Sequence, residues 1–306
     1  MPIASPPGQI NKPEPSLAKR RIPKSRLTII ELLRVVSSRA RPGHLICEFD
    51  STYANNLRKS LASKGIRVTV TAILLKAIAI AQKTHPRSRT EVLPFRGEVT
   101  YNEIVAGFTA ERVVNGQPTV FLGEIDAPIT KSLHQIALEL KDYGEAPLDD
   151  VKPLMLQERF SHLPGFLRNM ILTLGVTFPT LRLQCQHATF GVSSLGKFGI
   201  HSLFTPSLCT ATFGIGSAED RVVVIDGELA IRQCMAVSLI FDQRILDSGA
   251  AGAFVDCARS LFEGGLNEHL SEDERLVFEE EQVKDQEPVK ELEPVQIESP
   301  RVLELV

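Results

Sequence analysis

The chain has 306 residues, of which 43% are hydrophobic, and this suffices for one large or two modest domains with a real core. The five cysteines form no CxxC pair or Cys/His cluster, so the sequence indicates neither a disulfide framework nor a metal site and favours a reducing, cytoplasmic location. The longest apolar run, 72–81, is interrupted by Lys76 and predicts no membrane span.

The formal net charge of −3 conceals an asymmetry between the body and the end of the chain. Residues 266–306 contain 13 acidic and 4 basic residues, whereas the remainder contains 24 acidic and 30 basic ones. A mildly basic body suits anionic ligands, but its basic residues are not interleaved with aromatic ones, so nucleic acid is not an expected partner. The acidic tail at 266–306 and the proline-rich, then basic arm at 1–21 are predicted to be disordered, which leaves 22–265 as the folded domain.

The first third of the chain predicts helices around one strand. Apolar residues recur at spacings of three and four over 26–39, which indicates a helix. A strand from His44 to Asp50 leads into a helix over 53–64 that Asp50, Ser51 or Thr52 can cap and that Gly65 closes. A further helix begins at Thr69 or Thr71 and stops before Pro86.

The middle third predicts a hairpin, a helix and an unusual apolar segment. Strands over 99–109 and 119–125 flank an Asn115-Gly116 turn, and a helix starting at Asp126 or Thr130 ends near Gly144. The segment 145–188 is apolar and interrupted by proline and glycine. Three interpretations of it stay open: an extra helix covering the core, a flap narrowing a substrate channel, or a hairpin that touches a membrane.

The stretch 236–254 combines a buried strand, a charged turn and a small-residue helix. Residues 236–241 alternate with both faces apolar, and Asp247 is placed to cap the helix that follows. Upstream, 222–225 and Asp226-Gly227 predict a second hairpin. From the local pattern, an ordinary strand-to-helix connection accounts for the polar turn.

The turn also resembles a known signature. Asp242-Gln243-Arg244-Ile245-Leu246-Asp247-Ser248-Gly249 is similar to DHRVIDGA, which is typical of the 2-oxoacid dehydrogenase acyltransferase (dihydrolipoamide acyltransferase) family and of the related chloramphenicol acetyltransferases. The two letters that most define the signature differ here. The catalytic histidine of the family is replaced by Gln243, and the glycine after the aspartate is replaced by Ser248.

A second run of residues carries the same resemblance. Residues 188–200, ATFGVSSLGKFGI, are similar to the family's TFTISNLGxxG, and Ser193 falls on the serine whose hydroxyl hydrogen-bonds the oxyanion. Phe204-Thr205-Pro206 and 213–216 match the family's FxP and GIG motifs. The similarity runs in consistent order from Ile22 to Gly264.

The resemblance implies an α/β fold, of the α+β two-layer sandwich type: a chloramphenicol acetyltransferase-like mixed sheet with helices on one side. It implies a homotrimer with the substrate channel between subunits. It also implies acyl transfer between a thioester, such as acyl-CoA, and a thiol, hydroxyl or amine acceptor, with a small-molecule or carrier-bound acyl substrate. No metal and no lipoyl attachment are expected. Because no lipoyl-bearing or peripheral-subunit-binding module precedes the body, we expect a standalone relative and not a complete dehydrogenase-complex core subunit.

The resemblance implies Gln243, Asp247 and Ser193 as the catalytic positions. The family's histidine removes a proton from the acceptor, and glutamine cannot do so. Four interpretations stay open: a weak or substrate-assisted acyltransferase, a catalytically silent binding or scaffold protein, a channel reused for other chemistry such as cyclisation, or an alignment slip. In the last case a histidine from a neighbouring subunit would reach the site, and the candidates are His44, His187 and His201.

Overall fold

The computed structural model describes residues 22, 24–37, 41–93, 97–114, 116–178, 187–225 and 227–286. Its helices are α1 Lys24–Ser37, α2 Thr52–Ser63, α3 Val70–Thr84, α4 Leu133–Glu145, α5 Lys152–Ser161, α6 Gly165–Thr177, α7 Ser248–Phe262 and α8 Glu272–Gln286. Its strands are β1 Pro42–Asp50, β2 Thr90–Val92, β3 Glu98–Thr100, β4 Val105–Val114, β5 Gln117–Asp126, β6 Phe190–Ser194, β7 Ala211–Ile225 and β8 Glu228–Asp242.

Six strands form one mixed sheet in the order β1-β8-β7-β6-β4-β5, and β2 pairs with β3 apart from it. Strand β6 runs parallel to both β4 and β7, while the other pairs in the large sheet are antiparallel. Alternate side chains of the central strands, such as Val237, Leu239 and Phe241, enter the core with the apolar residues of α3 and α7. The predicted mixed sheet with a helical layer is confirmed.

Helix α3 is the most deeply buried element, because apolar residues occupy most of its surface. Thr69 caps it as predicted, with its Oγ1 accepting from the Ala72 amide at 3.1 Å. Lys76 is also buried, and its ammonium donates to the carbonyl oxygens of Ile129 and Lys131. Desolvation lowers the pKa of Lys76, with the charge of Glu274 acting in the opposite direction.

Two elements predicted in the middle third of the chain differ from the structure by more than two residues at a boundary. The helix expected to start at Asp126 or Thr130 begins at Leu133, because Ser132 and Gln135 form a reciprocal capping box. The predicted hairpin is confirmed as β4 and β5, closed by Gly116 at φ +71, while residue 115 lies outside the described residues. Residues 99 and 100, which were assigned to its first strand, belong to the separate strand β3.

The segment 145–188 forms two helices, and its residues 179–186 lie outside the described ranges. Helix α5 covers the edge strand β5, where the Gln157 side chain accepts from the Leu122 amide at 2.9 Å and donates to its carbonyl at 2.6 Å. Helix α6 packs on α1 through Arg168 and Glu31. These contacts agree with the extra-helix interpretation. No helix of the described ranges is long and apolar enough to cross a membrane.

The predicted disordered tail differs from the structure over its first half. Leu266 and Leu270 are buried, and α8 follows from Glu272 to Gln286. Phe278 is buried and meets the Tyr53 ring of α2 edge-on at 5.5 Å. The acidic composition concealed this apolar contact, which stabilises α8 on the body. The predictions for 1–21 and 287–306 lie outside the described residues.

Candidate active site

The turn after β8 owes its shape to Asp242. Its carboxylate accepts from Arg244 Nε at 3.0 Å and also from Nη2, and its backbone carbonyl accepts from the Ile245 and Leu246 amides at 3.0 Å. The hydrogen bonds that Arg244 donates to the Asp242 carboxylate raise the pKa of the guanidinium. The Arg87 side chain ties the far side of the turn to the segment after α3 by donating to the Ile245 carbonyl at 2.8 and 3.1 Å. Asp242 and Arg244 therefore have structural roles here.

Asp247 caps α7, as the local pattern predicts. Its Oδ1 accepts from the Ala250 amide at 2.8 Å, and the side chain is exposed. A carboxylate at this position also interacts favourably with the positive end of the helix dipole. The resemblance implies Asp247 as a catalytic position, and in the structure its side chain accepts a hydrogen bond from the backbone of α7.

Gln243 is exposed at the centre of this turn. Its backbone amide donates to the Arg41 carbonyl at 2.9 Å, just before β1, and this fixes the direction in which the residue leaves the sheet. A side chain at this position is available to a ligand or to another protein molecule. An amide can donate and accept hydrogen bonds there, but it cannot take up a proton near neutral pH.

Ser193 lies near the end of β6 with a second hydroxyl beside it. Its Oγ is 3.1 Å from Oγ1 of Thr109 on β4, and either oxygen can be the donor. Sequence analysis did not identify Thr109. The two residues are 84 positions apart and meet only because β4 and β6 run parallel in register, with Phe108 opposite Val192. The pair offers one hydroxyl that is positioned by another.

Ser193 and Gln243 are far apart within a single copy of the chain. In the sheet register, Ser193 of β6 is opposite Gly214 of β7, and Gly214 is opposite Ser238 of β8. Gln243 comes five residues after Ser238. A rise of about 3.3 Å per residue separates them by roughly 16 Å along the strands, in addition to the distance across two strands. A single copy of the chain therefore does not bring the Ser193 hydroxyl to the position of the missing histidine.

The loop that follows β6 contacts β7 closely, and this explains why Gly214 and Gly216 of the GIG motif are glycines. Residues 200–203 pack closely against β7, where the Ser217 amide donates to the Ile200 carbonyl at 2.7 Å. A Cβ at Gly214 would overlap the Leu203 carbonyl, and a Cβ at Gly216 would overlap that of His201. Ser238 holds the same loop by donating to the Leu203 and Gly214 carbonyls. The motif therefore serves the close approach of two backbones.

The three histidines considered as substitutes occupy different surroundings. His44 is exposed opposite Ile240 in β8, and its ring meets that of Phe204 edge-on at 5.3 Å. His187 lies 3.5 Å from a Glu124 carboxylate oxygen, and His201 contacts Arg221 at 3.3 Å. Among the contacts of the described residues, none joins these rings to Ser193 or Gln243.

A polar cavity of about 390 Å³ lies at the opposite end of β1 from the turn. Its lining comprises Asp50, Thr52, Tyr53, Asn56, Arg232, Glu263 and Phe278. Desolvation raises the pKa of Glu263, opposed by a hydrogen bond from the Asp50 amide. Within the described ranges, no three His, Cys, Asp or Glu side chains lie close enough together to hold a metal ion.

Comparison with known proteins supports the resemblance in sequence and in fold. Residues 181–267, which contain Ser193, Gln243 and Asp247, match the family model of the 2-oxoacid dehydrogenases acyltransferase catalytic domain. The chain resembles that catalytic domain. The similarity includes the dihydrolipoyllysine-residue acetyltransferase component of the pyruvate dehydrogenase complex of Zymomonas mobilis, which is 27% identical over 213 residues, or 68% of this chain and 40% of that protein.

A shorter match has higher identity. The lipoamide acyltransferase component of the branched-chain alpha-keto acid dehydrogenase complex of Pseudomonas putida is 34% identical over 85 residues, or 27% of this chain and 20% of that protein. The chain thus spans less than half of the length of the curated relatives it matches.

Solved structures show the same fold. The cubic core of the pyruvate dehydrogenase multienzyme complex superimposes with a TM-score of 0.63 at 19% identity, over 86% of this chain and 98% of that one. The dihydrolipoamide acetyltransferase of Azotobacter vinelandii gives the same values, and there a serine, a histidine and an asparagine four residues after it were investigated for roles in the mechanism. Gln243 and Asp247 have that spacing. The predicted acyltransferase-like fold is confirmed.

Proposed function

We propose that this chain is a relative of the acyl-CoA-dependent acyltransferases that transfers an acyl group without a base at residue 243. The observation that carries the proposal is the hydroxyl of Ser193, held 3.1 Å from Thr109 at the end of β6 in an acyltransferase-like fold. Acyl-CoA or a carrier-bound acyl thioester is the proposed donor, and the cytoplasm is the proposed location.

The missing base favours an amine as the acceptor. A thiol or hydroxyl must lose its proton to attack a thioester, whereas a neutral amine attacks the carbonyl carbon with its own lone pair. In this step the Ser193 hydroxyl donates a hydrogen bond to the developing oxyanion. Collapse forms the amide, breaks the carbon–sulfur bond and expels the CoA thiolate, which takes up the proton that the nitrogen releases.

The proposed assembly is a homotrimer with the site between protomers. The separation of roughly 16 Å along the strands between Ser193 and Gln243 supports it, because a single protomer leaves the two residues apart. A neighbouring protomer would bring its own turn at residue 243 to Ser193. The acceptor would then bind where two protomers meet.

A catalytically silent trimeric scaffold is the second candidate. It is favoured by the finding that Asp242, Arg244 and Asp247 are each satisfied by hydrogen bonds within the turn or to α7. Their presence therefore requires no chemistry. No geometry of the described residues favours the third candidate, a channel reused for cyclisation.

Calorimetry with acetyl-CoA on the full chain is the first test, followed by the rate of CoA release with primary amines and with thiols. We expect saturable binding and faster release with amines. Ser193→Ala should lower the rate about 10²-fold. Ser194→Ala is the matched control, since the neighbouring hydroxyl is exposed and follows Ser193 on the strand.

The outcomes separate the two candidates. An absence of binding at millimolar acetyl-CoA would leave the scaffold as the function. Binding with turnover that Ser193→Ala and Ser194→Ala affect equally would refute the role given to Ser193. Turnover that depends on Ser193 but favours thiols would refute the choice of an amine acceptor.

A further inference from the structure

The outer face of helix α6 is apolar and exposed in the described part of the chain. Phe166, Met170, Leu174 and Phe178 follow one another at intervals of four residues, so they form one stripe along the helix and its C-terminal cap. We call these four residues the α6 stripe. Their exposure ranges from 39% to 78%, and Phe166 is the most exposed of them.

The α6 stripe points away from the helix on which α6 packs. Arg168 is directed at α1, because two of its guanidinium nitrogens donate to the Glu31 carboxylate at 2.9 Å. Phe166 and Met170 are each two residues from Arg168, and 3.6 residues per turn place them about 160° from it around the helix axis. The stripe is therefore on the side of α6 opposite its contact with α1.

The α6 stripe belongs to a run of the sequence without charge. Residues 169–181 contain no Asp, Glu, Lys, Arg or His, and the run lies between Arg168 and Arg182. Helix α6 has 13 residues and is about 20 Å long, which is less than the ~30 Å of the hydrocarbon core of a bilayer. Such a helix can lie in the interface between water and lipid, but it is too short to cross the lipid.

Positive charge is concentrated in α6 and in the elements next to it in the sequence and the fold. Residues 19–41, which include α1, contain eight Lys or Arg and one acidic residue, Glu31, whose charge is paired with Arg168. Residues 152–182, which include α5 and α6, contain four Lys or Arg and one acidic residue. Arg26 of α1 is exposed. An apolar face bordered by positive charge is typical of helices that bind the surface of an anionic membrane.

We propose that the α6 stripe binds the surface of an anionic phospholipid membrane, with α6 lying parallel to that surface. The four side chains enter the boundary between headgroups and acyl chains, where the burial of apolar surface is favourable. The Lys and Arg residues of the neighbouring elements attract the negatively charged headgroups. The sequence left a membrane-touching hairpin open for the segment 145–188, and the structure has a helix in that place.

A membrane suits the α6 stripe better than a protein partner does. A stable protein interface buries about 800 Å² per partner, which is more than four side chains on one helix supply. Membrane binding has no such minimum, because basic residues outside the stripe contribute to the same attraction. The proposal does not depend on the proposed function.

Cosedimentation with lipid vesicles tests the proposal on the full chain. The probes are vesicles of equal parts phosphatidylcholine and phosphatidylglycerol, and vesicles of phosphatidylcholine alone. We expect binding to the mixed vesicles to be at least about 10-fold stronger than binding to phosphatidylcholine. It should weaken when the salt concentration is raised from about 0.1 M to about 1 M, since this shortens the Debye length from about 10 Å to about 3 Å.

A substitution in the stripe separates the apolar contribution from the charge. Phe166→Asp places a carboxylate in the stripe and should weaken binding to the mixed vesicles about 10-fold or more. Leu138→Asp is the matched control, because Leu138 is a residue of helix α4 that is 47% exposed and lies outside the basic segments. It should bind like the unmodified chain. Both variants should keep the melting temperature and the mass of the unmodified chain in solution, because both positions are exposed.

A spectroscopic probe measures insertion directly. The chain contains no tryptophan, so Phe166→Trp introduces a single indole in the stripe, and Leu138→Trp introduces one at the control position. On addition of mixed vesicles, the emission of Phe166→Trp should shift to shorter wavelength and be quenched by brominated acyl chains, because the indole enters the lipid interface. The emission of Leu138→Trp should stay unchanged.

The other possible results overturn the proposal. Equal binding to the two kinds of vesicle would remove the role of charge, and equal binding by Phe166→Asp and the unmodified chain would remove the role of the stripe. A change in the mass in solution caused by Phe166→Asp would assign the stripe to a contact between copies of the chain. An absence of binding to either vesicle would refute the membrane as the partner. Acyl transfer is measured in a separate assay that depends on Ser193, so its failure and the failure of membrane binding are distinguishable.

Discussion

Arg168 of α6 and Glu31 of α1 form a two-pronged ion pair, with Nε to Oε2 and Nη2 to Oε1 both at 2.9 Å. Arg168 is only 5% exposed, and its third nitrogen donates to the Ser161 and Leu163 carbonyls. The pair therefore joins α1 to α6, through two residues that are 137 positions apart. Planar, bidentate geometry of this kind is among the stronger polar contacts in proteins.

Glu31→Gln should lower the free energy of unfolding by about 2 kcal/mol at pH 7. The hydrogen bond from Arg168, more than its charge, lowers the pKa of Glu31 against the effect of desolvation. A lowered folded-state pKa stabilises the protein above the unfolded value of about 4.3, and this contribution is lost as the pH falls through the folded value. Urea unfolding at pH 7 and pH 3.5 checks this prediction.

In that experiment the difference between the unmodified chain and Glu31→Gln should shrink at the lower pH. An equal difference at both pH values would contradict the assigned cause. Glu145→Gln serves as the control, because Glu145 pairs with Lys141 at 3.8 Å on an exposed surface and should contribute little.

Gly216→Ala should destabilise the fold by about 3 kcal/mol, because the added Cβ would overlap the backbone carbonyl of His201. Gly252→Ala in α7 is the contrasting variant. A Cβ there meets nothing within 4 Å, and alanine favours helix by up to about 1 kcal/mol. Thermal unfolding of both variants should therefore shift in opposite directions. Equal and small shifts in the melting temperature would show that the loop moves to accommodate the added Cβ at residue 216.

Ending the chain after Ser271 should lower stability, whereas ending it after Gln286 should not. The shorter form loses the buried Phe278 and the buried Glu274, whose carboxylate accepts from the His134 and Ser271 amides at 3.1 and 3.2 Å. Phe278→Ala alone should cost about 3 kcal/mol. Limited proteolysis should accordingly stop near residue 286. A stable fragment that ends before 271 would refute the importance of this helix.

Gln243→His should raise acyl transfer from acetyl-CoA to a thiol or hydroxyl acceptor by about 10²-fold or more, since it supplies the missing base. Ser193→Ala in the same background should reverse much of the gain. Because the two residues are apart in one protomer, the gain should appear only at concentrations at which the protein associates. Initial rates of CoA release across a dilution series measure both effects. A gain that persists in a monomer would place the reaction elsewhere.

Local signals identified most elements of the fold correctly. The Thr69 cap, the Asp247 cap and the turn at Gly116 each depend on a hydrogen bond or a backbone conformation within a few residues. The start of α4 was wrong because two earlier residues, Asp126 and Thr130, looked equally suitable as caps. Ser132 prevails because it alone has Gln135 at the position that completes the capping box.

Contacts between distant parts of the chain were beyond sequence analysis. The disordered tail expected from residue 266 was inferred from charge. In the structure, Phe278 packs against Tyr53 of α2, and Glu274 accepts a hydrogen bond from the His134 amide at the start of α4. Thr109 beside Ser193 was missed for the same reason. Parallel strands joined by long connections leave no pairing signal in the sequence itself.

By itself, the sequence determined the order of elements, their caps and turns, and the identity of residue 243 as an amide that cannot act as a base. It also carried the two motifs on which the family resemblance depends. Only the tertiary structure decided that Ser193 lies beside Thr109 and roughly 16 Å along the strands from Gln243. The reason is physical: caps and turns are satisfied locally, whereas strand register and burial depend on every element that packs on the sheet.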